Sequence, residues 1–299
     1  MKKPIFNPIF LAQRVKKEIV LKQQTFLESE DNLRVMSFNI RWDSELDTPP
    51  ENSWERRKSY VSSMIRFHRM DLVGLQESSK DQVHDLEKLM PEYGWYGVGL
   101  EDGKDKGPFD AIFFRKSRLE LLNHSHFFLS STPDVPSKGW NARFARGVVW
   151  AEFKDKKSQK TFFFFNTHFD YHSQIARDES ALLLRKQVEE ITRGGSFVIT
   201  GDFNIFPELG GKITYELLTQ KSPLTTGRKF FDAHYKALFP HHGPTGSWSG
   251  FKEPGQPGIK PDYIFVDKSV TVVTHGILAD TFNGHFPSDH LPVVAEIDL

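Results

Sequence analysis

The sequence predicts an α+β architecture, a four-layer α/β sandwich in which two packed mixed β-sheets are flanked by helices. Three observations carry this. Short β-branched and aromatic runs recur from Leu33 to Ile297, several of them as hairpin neighbours. Stretches with apolar residues at three- and four-residue spacing are interspersed among them, which puts helices outside sheets. The run Asp71–Gln76 is nearly unbroken in apolar character, as a strand covered on both faces must be.

Taken in order, the first residues stand apart. Residues 1–24 carry Lys2, Lys3, Arg14, Lys16, Lys17 and Lys22 against Glu18 alone, a local balance of +5. Leu11, Val15 and Ile19 share one helical face, so residues 1–31 read as a basic, helical N-terminal extension. That face suits docking on the following domain, or contact with a membrane surface. Asn7 and Pro8 interrupt the apolar stretch a secretory signal would need.

From Leu33 the pattern is regular, and residues 32–299 read as one domain. Leu33–Ile40 alternates, placing Leu33, Val35, Ser37 and Asn39 on one face of a strand. Trp54–Phe67 is helical, with Val61, Met64, Ile65 and His68 on one side. The strand Asp71–Gln76 ends in Glu77, and a helix over Lys80–Met90 follows, capped by Glu77 or Ser78. Strands are expected at Gly94–Leu100, Phe109–Arg115, Leu119–Leu129, Gly147–Phe153 and Phe162–His168. Ala176–Thr192 repeats as a helix through Ala181, Leu182, Leu184 and Val188. Phe197, Val198 and Ile199 form a short buried strand that Gly201 breaks. A helix near Ile213–Thr219 precedes a Gly/Pro-rich loop from Pro240 to Pro261. The last strands are Tyr263–Val266, Val270–Ile277 and Val293–Ile297.

Composition bounds the function. Lys+Arg and Asp+Glu are 39 each in 299 residues, so the net charge is zero. A dedicated duplex-DNA binder would carry a basic excess, so charge does not point to nucleic acid, though a local basic groove stays open. Cysteine is absent, which excludes disulfides and thiol chemistry. No apolar run approaches the ~20 residues that span a bilayer. The chain is expected to act as a monomer in the cytoplasm, with export left open.

Chemistry concentrates at strand ends. Six apolar runs close on polar groups of one restricted kind: Asn39; Glu77; Asn166 with His168; Asp202 with Asn204; Asp262; and Asp289 with His290. Asp202 and Asn204 are two apart, so an extended backbone points both the same way. These side chains are the hard-oxygen ligands and proton carriers of metal-assisted phosphoryl chemistry. Each also has a structural alternative, Asp202 as a turn residue and His168 as a core histidine.

The ordered set FNIRWD, GLQE, NTHFD, GDFN, PDYIF and SDH resembles the endonuclease/exonuclease/phosphatase superfamily, which shares the fold of pancreatic deoxyribonuclease. The resemblance covers Leu33 to Leu299. Trp54–Arg57, Ser137–Trp140 and Asn166–Asp170 are most similar to a bacterial branch of largely uncharacterised hydrolases. It implies a Mg²⁺-dependent phosphoester hydrolase, foremost a phosphodiesterase, with Mn²⁺ as the other candidate ion. A nuclease on DNA or RNA, or a phospholipid or phosphoinositide phosphatase, is the alternative. A non-catalytic binding module would have lost Glu77, Asp202 or His290, and none is lost.

The resemblance also implies roles. Glu77 would be the principal metal ligand, with Asn39 and Asp289 completing or supporting the site. Asp202 would orient and deprotonate the attacking water, and Asn204 would hold the water or the phosphate. His168 would contact phosphate, and Asp262 would fix His290, which faces the scissile group. Whether Asp202 or His290 is the base stays open. His168, His290 and Arg146 would supply positive charge, Arg146 as a phosphate clamp. Asp170 would approach the metal or cap the loop before the helix. The chain has PDYIF where inositol-phosphate phosphatases of the superfamily carry a WCDRI-like motif. Trp140 and the loop His241–Pro257, with His242, Trp248 and Phe251, would form a specificity rim that stacks on substrate.

Overall fold

In the computed structural model, which describes residues 32–44, 49–207, 211–220, 223–252 and 258–299, the strand ends do converge. The N-terminal extension and its expected helix lie outside the described residues. The elements run β1 (Leu33–Asn39), α1 (Trp54–Phe67), β2 (Leu72–Ser78), α2 (Lys80–Leu89), β3 (Tyr93–Gly99), β4 (Phe109–Arg115), β5 (Leu119–Phe128) and β6 (Gly147–Asp155). There follow β7 (Thr161–His168), α3 (Gln174–Thr192), β8 (Phe197–Asp202), α4 (Lys212–Thr219), β9 (Phe231–Asp232), α5 (Ala233–Lys236), β10 (Asp262–Val266), β11 (Thr271–Ile277) and β12 (Val293–Asp298). Each sheet has six strands, in the orders β11-β12-β1-β2-β4-β3 and β5-β6-β7-β8-β10-β9.

The centre of each sheet is a parallel pair, β1 with β2 and β7 with β8, and the other ladders are antiparallel. A parallel pair needs a crossover, and α1 and α3 supply it. Parallel strands end on the same side, so Asn39 and Glu77 come out beside each other, as do His168 and Asp202. The two sheets then stack.

Alternation decides which residues face which layer. Val35, Leu72, Ile112, Phe153, Phe164, Val198 and Ile264 fill the space between the sheets. Met36, Phe38, Val73 and Leu75 turn outward against α1 and α2 through Val61, Ile65, Val83 and Leu86. Phe165, Phe197, Ile199 and Phe265 face α3 and α4 through Leu184, Val188 and Leu218. The four layers follow from that period-two pattern.

The core changes character toward the functional end. Gln76 Nε2 donates to Asn166 Oδ1 at 2.6 Å and to Ser37 Oγ at 3.3 Å. Asn166 Nδ2 donates across to the Leu75 and Ala111 carbonyls, and Thr200 Oγ1 donates to Asn166 Oδ1 at 3.0 Å. Asn166 is therefore a buried tie between the sheets, not a group at the rim. Gly74 makes room for it: a Cβ there would meet Thr200 Oγ1 at 2.0 Å and Asn166 Oδ1 at 2.3 Å. Gly74→Ala should force the sheets apart and cost about 1–3 kcal/mol by overpacking. An unchanged urea midpoint with an unchanged slope would contradict this.

Two local expectations are corrected, and two short elements were not anticipated. Helix α2 is capped by Ser79, whose Oγ accepts from the Gln82 amide while Gln82 reaches back, so neither Glu77 nor Ser78 is the cap. Helix α3 starts at Gln174 because Ser173 Oγ accepts from the Ala176 amide. β9 and α5 have too few residues to show a period in sequence.

Candidate active site

At the rim of the sandwich, Glu77 precedes Ser78, the last residue of β2, where the pairing with β4 slips, and its backbone is left-handed at φ 52°. That twist turns its half-exposed carboxylate into the mouth between the sheets. Asn39, buried at the end of β1, donates through Nδ2 to Asp202 Oδ2 at 3.0 Å, and its Oδ1 accepts from the Arg41 amide at 3.0 Å. This single bond joins the two sheets at the site.

On the other sheet, His168 Nε2 lies 3.5 Å from Asp202 Oδ2 and 3.9 Å from Glu77 Oε1. Asn204 donates through Nδ2 to the Phe169 carbonyl and faces His168 Nε2 at 3.1 Å. The Asn204 amide N–H donates to Asp202 Oδ1 at 3.0 Å. Asp262 Oδ2 accepts from His290 Nδ1 at 2.9 Å and from Ser247 Oγ at 2.6 Å. His290 Nε2 then stands 3.9 Å from Asp202 Oδ2. Asp289, beside it, meets Arg41 Nη1 at 3.6 Å.

Electrostatics divide these groups. Asp202 is pushed up to about 7, by burial first and then by Asp262 and Glu77, with His290 pulling the other way. Asp289 is also raised, by burial and by Glu77. Burial opposes the charged form of His290, but Asp262, Asp202 and Asp289 outweigh it and hold the imidazole well above its usual value. His168 goes the other way, well below its usual value, because burial is reinforced by Arg146 and His290. Against the expectation that His168 supplies positive charge, its surroundings disfavour the charged form. Asp202 and His290 are both buried, at 2% and 7% exposed.

Glu77, His168, Asp202, Asn204, Trp248 and His290 line one cavity of about 290 Å³, together with Tyr171, Phe206, Ile259 and Pro261. Trp140 is not among its walls, and its carbonyl accepts from Ser173 Oγ at 3.0 Å. Of the two readings of Asp170, the hydrogen bonds favour the loop cap. Its two oxygens accept from the Arg143, His172 and Ser173 amides at 2.8–3.0 Å. Arg146 is buried with Nε 3.9 Å from Asp170 Oδ2, also outside the cavity walls.

Sequence reasoning missed several partners. Ser247 steadies Asp262 from a loop without periodic signal. Tyr171 could have been found as the exposed aromatic next to NTHFD. Asp110, on β4, is 1% exposed with neither carboxylate oxygen hydrogen-bonded. Burial pushes it well above the usual carboxylate range, Arg146 opposes this, and Asp202 and Glu77 add to it. Arg57 is fully buried and binds carbonyls of Asn52, Ile40, Pro287 and Arg41 at 2.6–3.2 Å. It thereby fixes the turns after Asn39 and before Asp289.

Two stacked sheets with acidic, amide and imidazole groups at one rim define a class of protein, and comparison bears it out. Residues 36–290 match the sequence profile of the Endonuclease/Exonuclease/phosphatase family. A mannosyl-6-phosphatase of Bacteroides thetaiotaomicron VPI-5482 is similar at 33% identity and TM-score 0.82, over 89% of this chain and 100% of that one. An endonuclease/exonuclease/phosphatase from Bacteroides vulgatus is similar at 35% identity and TM-score 0.81, over 90% and 99%. An uncharacterized protein, L388, of Acanthamoeba polyphaga mimivirus is 29% identical over 58% of this chain and 67% of its own length. The chain belongs to the endonuclease/exonuclease/phosphatase family, whose members are hydrolases acting on phosphoesters. No helix among the described residues is long and apolar enough to cross a membrane.

Proposed function

We propose that this chain is a metal-dependent phosphoric ester hydrolase that cleaves a P–O bond by in-line attack of water. The observation that carries the reading is the Asp262–His290 pair facing Asp202 in one cavity with Glu77, His168 and Asn204. The donor set fits a hard divalent cation. Glu77, Asp202 and Asp289 crowd negative charge together, and Glu77 helps raise both of the others, so a cation among them would relieve repulsion. Glu77 would hold Mg²⁺ or Mn²⁺, with Asn39 and Asp289 in support. A bound ion would neutralise charge on the phosphoryl group and make water more acidic.

The residues divide the remaining work. Asp202, close to neutrality in its proton affinity, is suited to take a proton from water at Oδ2. Asn204, held by Asp202 and Phe169, positions the water or a phosphoryl oxygen. His290 is kept cationic by Asp262 and presents Nε2 to the charge that develops on the phosphate. His168 adds a neutral contact. Trp248 and Tyr171 offer aromatic faces to the leaving group.

A phosphodiester is the first substrate class. Likeness to a mannosyl-6-phosphatase over nearly the whole chain supports sugar phosphates as a second. A panel of a chromogenic phosphodiester, hexose 6-phosphates, single- and double-stranded nucleic acid, a phosphoinositide and sphingomyelin separates the classes. Chelation with EDTA should abolish turnover, and Mg²⁺ or Mn²⁺ should restore it. Full activity in excess EDTA would remove the metal from this reading.

A further inference from the structure

We propose that His234, His241 and His275 form a second metal site, outside the candidate active site, selective for Zn²⁺ and similar transition ions. One ring nitrogen from each lies within 4.8 Å of the others. The ring centroids are 4.8–5.1 Å apart in all three pairs. His234 lies on α5, His275 on β11, and His241 on the segment that joins α5 to the loop carrying Ser247 and Trp248.

The protonation pattern suits ligation. His241 Nε2 faces the Pro244 carbonyl at 2.8 Å, and a carbonyl can only accept, so Nε2 bears the proton. The lone pair of His241 is then on Nδ1, which accepts from His275 Nδ1–H at 2.9 Å, so an ion replacing that hydrogen bond would require the His275 proton to move to Nε2. Carbonyl orientation of the outer ring nitrogen is the usual support for a metal-binding histidine. His275 Nε2 and His234 Nδ1 are buried without any hydrogen-bond partner, in a ring that is 2% exposed for His275. Burial holds His275 down to about 2 and lowers His234 as well, so both rings keep their lone pairs at neutral pH.

The donor set decides the ion. Three imidazoles without a carboxylate or thiolate favour Zn²⁺, Co²⁺, Ni²⁺ or Cu²⁺ over Mg²⁺ and Ca²⁺. Lys260 is the charge that works against a cation, but it is drawn to Asp232 Oδ2 at 3.7 Å and lies over the Tyr263 ring at 4.3 Å. Access exists: His234 lines a cleft of about 570 Å³ with Asp232, Tyr235, Thr245 and Lys260. Because β9 and β11 belong to different sheets, an ion here would clip the two sheet edges together at the base of the Ser247 loop.

The test uses the whole chain with excess Mg²⁺, which occupies the oxygen-ligand site, and Co²⁺ as the spectroscopic probe. One equivalent of Co²⁺ should give the visible absorption of a nitrogen-ligated ion, and Zn²⁺ should displace it and raise Tm. His234→Phe and His241→Phe keep the ring packing and remove a ligand. Each should weaken binding by more than the ~100-fold that an outer-sphere change can reach. Glu77→Gln should leave the Co²⁺ spectrum unchanged. If His241→Phe does not fold, His234→Phe decides, since its Nδ1 has no partner to lose. No nitrogen-ligated spectrum, a spectrum that survives His234→Phe, or one lost in Glu77→Gln would each overturn the site.

Discussion

Asp202→Asn and His290→Ala should each lower kcat by about 10²-fold or more, the range for loss of a positioned base or of a charge stabiliser. The chain should stay folded. Asn at 202 keeps one oxygen, which can serve the Asn39 amide that ties the two sheets at the site, and gives up the bond from the Asn204 amide. The sign of the pH effect separates chemistry from stability. Asp202 binds its proton more tightly folded than unfolded, since burial, Asp262 and Glu77 push it from 3.8 up to about 7. Its contribution therefore opposes folding increasingly as pH rises from 3.8 through 7. Asp202→Asn removes that opposition, so its Tm should match or exceed the parent's at pH 8, and the difference should shrink toward pH 4. The limb of kcat/KM that rises as Asp202 ionises should also vanish. A divalent cation beside Glu77 would move that limb below 7 in the parent. A variant that merely unfolds at pH 8, or keeps its kcat, would remove Asp202 from the chemistry.

Arg57→Ala should destabilise the chain by about 3 kcal/mol or more and also abolish turnover. The guanidinium is fully buried, and its hydrogen bonds go to the carbonyls of Asn52, Ile40, Arg41 and Pro287. Bonds from a charged donor contribute about 1.5–3 kcal/mol each, and carbonyls left unpaired carry a desolvation cost. The same bonds connect the turn after Asn39 to the turn before Asp289, so the ligand-bearing segments should loosen together. Lys should not rescue, because a point charge cannot serve carbonyls arranged around a planar fork. Guanidinium melts of the three chains measure the stability. A loss below 1 kcal/mol, or full rescue by Lys, would show that the turns hold themselves.

Much of the architecture was legible because strands advertise themselves through a period of two. Helix α1 and strand β4 run over Trp54–Phe67 and Phe109–Arg115, the spans their patterns predict. Boundaries elsewhere moved by one or two residues, as where the Ser173 cap starts α3 at Gln174, but β8 runs on through Gly201, expected to break it, to Asp202. The short pair β9 and α5 left no period to read. The conserving logic of the site was also visible: a strand that ends in Asn, Glu, Asp or His is a local fact of sequence. Which of those ends are accessible is not local. Asn166 lies in the same NTH stretch as His168, yet it faces the interior two residues earlier and ties the sheets instead of lining the cavity.

By itself, the sequence determined the two-sheet sandwich, the set of strand-end groups and the family, since periodicity and ordered short motifs reside in the chain. Tertiary structure alone decided their charges and their neighbours. His168 and His290 are both buried histidines of the site, but only His290 meets a carboxylate at 2.9 Å, while burial and the charges of Arg146 and His290 act on His168. Hence one is held cationic and the other neutral. Asp170 and Asp202 are both buried acids beside the NTH and GDF stretches. Backbone amides occupy both oxygens of Asp170, whereas Asp202 faces His168 and His290 at 3.5 and 3.9 Å. Likewise His234, His241 and His275 are scattered along the chain and meet because α5 and the segment after it pack against edge strand β11. Desolvation and Coulomb interaction depend on distance through space, and sequence spacing carries no record of it.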